Sequence, residues 1–291
     1  METRMLGSVK PYRRMVVIST GKADWAREVT DVKGTLAAHL GSVHTTKPHG
    51  EHHAKPAKSV DGVFAAEGAS RLTVLNGSHD SLSDDHDHDT VLVFPDYTVV
   101  SGVARTQAAA QAFYDSALAP GASIGNAGGD LKTWVIPYSC VILLCSHKRR
   151  DNRCHIAAKT LESSFCNALT KEGWQVDTRL EDPTAHMGSD PLEAFSGTPE
   201  EKEAHVKQQL KSLQGEKRAL ILKNSHIGGH RYAGNAIICL PAGQSVWYGR
   251  VTPHEVDAIV ANTIEGGKVL APLLRGGNDL ARPGCKSLHE W

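Results

Sequence analysis

Apolar residues gather in short runs along the first part of the chain, separated by polar stretches, and the runs alternate between strand-like and helix-like spacing. The run "RRMVVIST" (13–20) predicts a buried strand, and "TVLVFPDYTVVSGV" (90–103) predicts strand material broken near Pro95, which has no N–H to give to a ladder. "WAREVTDVKGTLAAHLG" (25–41) and "TQAAAQAFYDSAL" (106–118) predict helices, the second on the strength of its alanines. Together they describe an α/β unit. The Gly- and Ala-rich stretch "APGASIGNAGGDLK" (119–132) marks a linker, so residues 1–125 and 130–291 are expected to form two domains.

The second half predicts one element after another. "TWVIPYSCVILLCS" (133–146) is apolar throughout and suits a central strand, whereas "HIAAKTLESSFCNALTKEG" (155–173) has helical spacing and a terminal Gly stop. "WQVDTRLED" reads as a strand, and "TPEEKEAHVKQQLKSLQG" as a helix that opens with Thr, Pro and acids. "RALILKNSHIGGH" is a strand running into a loop, "NAIICLPAGQSVWYGRV" (235–251) a hairpin turning at Pro241 to Gly243, and "TPHEVDAIVANTIEGG" a last helix. The order β-α-β-α-β-β-α is that of a thioredoxin-type domain.

Composition removes several function classes. A chain of 291 residues with 40% hydrophobic content can bury a sizeable core, and its length fits two domains of roughly 100–200 residues each. Lys plus Arg equals Asp plus Glu at 32 each, so the overall basic excess of a nucleic-acid binder is absent. No apolar stretch approaches the roughly 20 residues that span a bilayer, and the first residues lack the apolar region of a signal peptide. Cytoplasmic residence without membrane contact is the expectation. Six cysteines are too sparse for a secreted disulfide framework and point to reduced thiols or metal ligands. Of 16 histidines, His44, His49, His52, His53, His79, His86 and His88 fall in polar segments and are read as loop residues in solvent. No internal repeat is obvious by eye.

The chemistry lies in two loops. "CSHKRRDNRC" puts Cys145 and Cys154 either side of eight mostly charged residues, and "HIGGHRYAGN" puts His226 and His230 four apart around two glycines. Those glycines argue against a helix and allow a tight loop that aims both imidazoles at one point. The Glu of H-E-x-x-H is missing, so a metalloprotease arrangement is excluded. Two thiolates and two imidazoles suit zinc or a [2Fe-2S] cluster. Zinc hooks commonly space their cysteines by two to four residues, while a longer basic loop suits a larger, negatively charged object. Both remain open on residues alone. No C-x-x-C occurs, which speaks against a thiol-disulfide oxidoreductase. Cys140, Cys166 and Cys239 are read as packing thiols, Cys285 as a free thiol of the tail, His147 and His155 as neighbours of the ligands, and Arg231 and Asn235 as hydrogen-bonding surroundings.

With "VVISTGKADW" upstream, these two motifs resemble the sucrase/ferredoxin-like family of thioredoxin-like [2Fe-2S] proteins. The resemblance implies a C-terminal thioredoxin-like ferredoxin domain, a related α/β domain before it, and Cys145, Cys154, His226 and His230 as ligands of a [2Fe-2S] cluster. It implies a one-electron carrier with protein donors and acceptors rather than an enzyme with its own substrate. Histidine in place of two cysteines implies a potential in the Rieske range, roughly −150 to +300 mV against about −400 mV for plant-type ferredoxins, with proton coupling at the imidazoles. The alternative is a zinc-stapled interaction module. The closing "SLHEW" resembles the acidic-then-aromatic signal that recruits the cytosolic iron-sulfur assembly machinery, which would make Trp291 a partner contact. Residues 1–125 contain no cysteine and hold no second thiolate-bound cluster.

Overall fold

The computed structural model describes residues 4–43, 60–125, 128–149 and 151–290. Its strands are β1 (Arg14–Ser19), β2 (Val63–Phe64), β3 (Leu72–Gly77), β4 (His88–Phe94), β5 (Thr98–Ala104), β6 (Lys132–Val135), β7 (Cys140–Cys145), β8 (Gln175–Asp177), β9 (Arg218–Asn224), β10 (Ala236–Cys239), β11 (Ser245–Tyr248) and β12 (Leu274–Asn278). The helices are α1 (Leu36–Gly41), α2 (Gln107–Phe113), α3 (Asn152–Lys171), α4 (Thr184–Met187), α5 (Pro199–Ser212) and α6 (Pro253–Ile259). All twelve strands join one mixed sheet in the order β2-β12-β11-β10-β7-β9-β3-β1-β4-β5-β6, with β8 beside β9. None of the described helices is long and apolar enough to cross a membrane.

Every residue of β1 and β7 is buried, as continuous apolar runs require when both faces of a strand are covered. Alternate side chains point to opposite faces. Met15, Val17, Val141 and Leu143 share one core across the whole sheet, together with Val206 and Leu210 of α5. On the other face Val16 and Ile18 pack with α1 and α2, while Ile142 and Leu144 pack with α3 and α6. Helix α5 starts where a capping box says it should: Glu201 N–H donates to the Thr198 hydroxyl, Thr198 N–H donates to the Glu201 carboxylate, and Pro199 follows.

The strand order contains a repeat. Strand β1 is parallel to β3 and antiparallel to β4, which pairs with β5; β7 is parallel to β9 and antiparallel to β10, which pairs with β11. The blocks β3-β1-β4-β5 and β9-β7-β10-β11 thus have the same order and directions, and they meet where Gly77 pairs with Asn224. Ser19 pairs with Gly77 in the first block and Cys145 with Asn224 in the second. The next two residues are Ser78-His79 in one and Ser225-His226 in the other.

Several elements differ from the pattern-based expectation. The segment 25–41 is helical only in a single turn at Val29–Asp31 and in α1, because Gly34 takes φ 76° and breaks the run. The apolar stretch 133–146 is two strands: β6 pairs with β5, and after Pro137 β7 enters the second block. His79 is fully buried rather than in a solvated loop. His44, His49, His52 and His53 lie outside the described residues, as does Trp291.

Candidate metal centre

Parallel neighbours end at the same edge of a sheet, so the loops after β7 and β9 lie side by side. Cys145 closes β7, 2% exposed, and its N–H donates to the Asn235 carbonyl at 3.1 Å. Cys154 stands in the first turn of α3, whose cap, Asp151, accepts from Arg153 N–H at 3.0 Å. A long helix's first turn favours a thiolate through its free N–H groups and dipole.

Cys145 and Cys154 are electrostatic neighbours whose pKa values move apart, Cys145 upward and Cys154 downward. The neighbouring Cys145 side chain, helped by His147 and opposed by burial, pulls the Cys154 thiol below its ordinary value. Cys145 is held well above the usual thiol range by the Cys154 side chain beside it and by burial. A buried cysteine whose thiolate form is favoured is a ready metal ligand.

Three imidazoles complete the recess. His226 Nδ1 lies 3.0 Å from His147 Nε2, with the rings edge-on at 4.7 Å between centroids, and the His226 and His230 rings are 6.1 Å apart. The ligand atoms of Cys145, His147 and His226 all fall within 4.8 Å of one another. His147 is 1% exposed and its Nδ1 is buried without a hydrogen-bond partner, whereas His230 is exposed. Of the four residues singled out by sequence, Cys145 and His226 fall in this donor group, while Cys154 adjoins Cys145 and His230 adjoins His226 outside it. His147, set aside as a neighbour, stands in their midst; His155 turns its Nδ1 to Ser146 Oγ at 3.2 Å instead.

Sequence reading missed Arg275, which β12 delivers from 45 positions beyond His230. Its buried guanidinium donates to Asn235 Oδ1 at 2.8 Å and Ser8 Oγ at 3.1 Å. Burial lowers its pKa, and the charges of Cys145 and Cys154 oppose that fall, which marks it as their electrostatic neighbour. Asn235 also donates to the Gly229 carbonyl at 3.2 Å, so it braces the histidine loop, while Arg231 is exposed. At Gly229, φ is 69° and a Cβ would stand 2.5 Å from Arg275 Nη2, so glycine is required on two counts. Nothing in the local pattern of "LLRGGN" signals this role.

Cys140 and Cys239 are buried in strands, Cys166 packs half-buried on α3, and Cys285 is half-buried with Sγ 3.9 Å from the Glu290 carbonyl; all six cysteines are unpaired. A donor set of thiols and imidazoles without carboxylate fits zinc or an iron-sulfur cluster and not magnesium or calcium. The unpartnered Nδ1 of buried His147 and the cation held beside the thiolate fit a negatively charged, thiolate-bound group in the recess.

A family model described as sucrase/ferredoxin-like matches residues 5–276, which includes both strand blocks and the whole recess. The chain belongs to the sucrase/ferredoxin-like family. Among curated relatives, "Altered inheritance of mitochondria protein 32" of Meyerozyma guilliermondii is 29% identical over 136 residues, covering 47% of this chain and 34% of that protein. The protein of the same name from Clavispora lusitaniae is 31% identical over 136 residues, with the same shares of 47% and 34%. The one from Saccharomyces cerevisiae strain YJM789 is 39% identical over 61 residues, 18% of this chain and 19% of that protein. The match thus spans about a third of the length of the first two relatives. No solved structure matches.

Proposed function

We propose that this member of the family is a one-electron carrier holding a [2Fe-2S] cluster on Cys145, Cys154, His226 and His230. The observation that carries the proposal is that the ends of β7 and β9 lie side by side, with the donor atoms of Cys145 and His226 within 4.8 Å of one another, Cys154 an electrostatic neighbour of Cys145, and the His230 ring 6.1 Å from that of His226. A cluster bound there would take up and release a single electron. The chain's own groups do the rest. Helix α3 and Arg275 stabilise negative charge, while Asn235 fixes the loop that presents the imidazoles. His230 is the one exposed imidazole of the three described at this site.

The same proposal takes residues 130–291 as a thioredoxin-like ferredoxin domain and residues 1–125 as a related domain without a cluster. The repeated strand order supports it, as does the parallel β7-β9 pair followed by the β10-β11 hairpin and α6. A second arrangement, zinc on Cys145, Cys154, His147 and His226, is favoured by the donor atoms of Cys145, His147 and His226, which all lie within 4.8 Å of one another. An aerobic absorption spectrum with iron and sulfide analysis separates them. Visible bands with two irons and two sulfides per chain are expected; a colourless protein with one zinc overturns the proposal.

A further inference from the structure

The chain has no net charge, yet the end of the sheet around His230 does not share that balance. Three loops converge there: 146–153 after β7, 225–235 after β9, and 249–252 after β11. Backbone bonds tie the last two together, Arg250 N–H to the Tyr232 carbonyl at 3.1 Å and Val251 N–H to the Gly234 carbonyl at 3.0 Å. Among the described residues the three loops carry five Lys or Arg side chains against a single acid, Asp151, which is occupied by Arg153 at 2.7 Å. Arg149 is answered by Asp24 at 3.4 Å. Lys148, Arg231 and Arg250 are exposed and have no carboxylate partner among the described residues.

Arg250 is placed there at a cost. Its φ is 58°, a left-handed conformation that glycine or asparagine adopts more readily. The side chain lies over the Tyr232 ring at 5.4 Å, beside the histidine loop. By contrast, the β3-β4 connection at the same end of the first strand block carries Asp80, Asp84, Asp85 and Asp87. Cations thus dominate the three segments that meet near the exposed imidazole, while the acids lie on the adjoining loops of the first block, with Asp24 in contact with Arg149.

We propose that this face docks the acidic surface of a redox partner protein, with Lys148, Arg231 and Arg250 as its recognition charges and His230 as the point of electron entry. The inference rests on the electron-carrier proposal. Complementary charge steers encounter and fixes orientation, and its signature is a rate that falls with salt. In the exchange one electron leaves the partner's reduced centre and reduces the centre of this protein, with no bond made or broken.

The test uses the whole metal-loaded chain and a reduced plant-type ferredoxin, a strongly acidic donor, as the probe. Stopped-flow reduction should slow at least about tenfold as ionic strength rises through the range in which surface charges become screened. The triple variant Lys148→Glu, Arg231→Glu, Arg250→Glu should slow it about as much at low salt, while Lys211→Glu with Lys268→Glu, at the far end of the sheet, should leave it unchanged. A second arm needs no electron transfer: the redox-inert trianion hexacyanochromate(III) should broaden the backbone NMR signals of Lys148, Arg231 and Arg250 first, and not in the triple variant. Equal rates in native and triple proteins, or broadening spread evenly over the surface, overturns the docking face. If the protein carries zinc, the electron-carrier proposal fails by its colourless spectrum, and the broadening arm still decides whether the face attracts acidic groups.

Discussion

The two strand blocks put Ser19 and Cys145 at the same place, and likewise His79 and His226, yet one end is closed and the other is open to chemistry. At the closed end Ser19 Oγ accepts from Thr90 N–H at 2.9 Å, Thr20 Oγ1 donates to the Gly77 carbonyl at 2.7 Å, and the Thr20 and Gly21 N–H groups bond the His79 carbonyl at 3.0 Å each. His79 is sealed inside with neither ring nitrogen hydrogen-bonded, and burial pulls its pKa down to about 4. At the open end the same positions carry the Cys145 thiol and an imidazole facing other imidazoles. An identical frame thus serves as packing where its loop backbone and hydroxyl groups bond one another around a buried imidazole, and as a candidate metal centre where soft donors replace them.

Removing the sulfurs should break the comparison most completely. Cys145→Ser or Cys154→Ser is expected to abolish bound metal, measured as iron per chain, whereas Cys140→Ser and Cys166→Ser should retain it. Full iron in the Cys145 variant would remove the basis for distinguishing the two ends.

Acid should act next, and at the closed end. His79 has a folded pKa of about 4 against roughly 6.5 when unfolded, so the unfolded chain takes the proton more readily. Its contribution is present above about pH 6.5 and is lost as pH falls toward 4, on the order of 3 kcal/mol in all. Urea unfolding at pH 7, 5.5 and 4 should show this loss, and His79→Leu should flatten it. An unchanged pH slope in the variant would mean that the buried imidazole is not the acid-sensitive group.

The smallest effect sharpens the comparison. Ser19→Cys makes the paired positions alike, but a thiol is a weaker acceptor for Thr90 N–H, so a loss of about 1 kcal/mol is expected in thermal unfolding. Metal content should not rise, because residues 1–125 offer no second thiol. An additional bound metal would show that the closed end is also a competent site.

Much of the open end was legible because its chemistry is local in sequence. The Cys145–Cys154 spacing, the two glycines between His226 and His230, and the apolar runs of β7 and β9 each carry their own signal. The helix 155–173 was also legible, although its start at Asn152, which places Cys154 in the first turn, was not: the loop charges obscured the Asp151 cap. Long-range features left no local trace. Arg275 arrives from a strand with two glycines, β3 alternates too weakly amid polar neighbours to stand out, and the repeat lies in strand order and register rather than in similar residues. His147 was underweighted because adjacency to Cys145 says nothing about which way a side chain turns after a strand ends.

The central claim, that His226 and His230 rather than His147 complete the ligand set, is tested most directly by pulsed electron paramagnetic resonance on the reduced protein with ¹⁵N-labelled histidine. The account predicts two coupled nitrogens in the native protein and in His147→Ala, and one in either His226→Ala or His230→Ala. Loss of a coupling in His147→Ala, with both retained in His230→Ala, would contradict it.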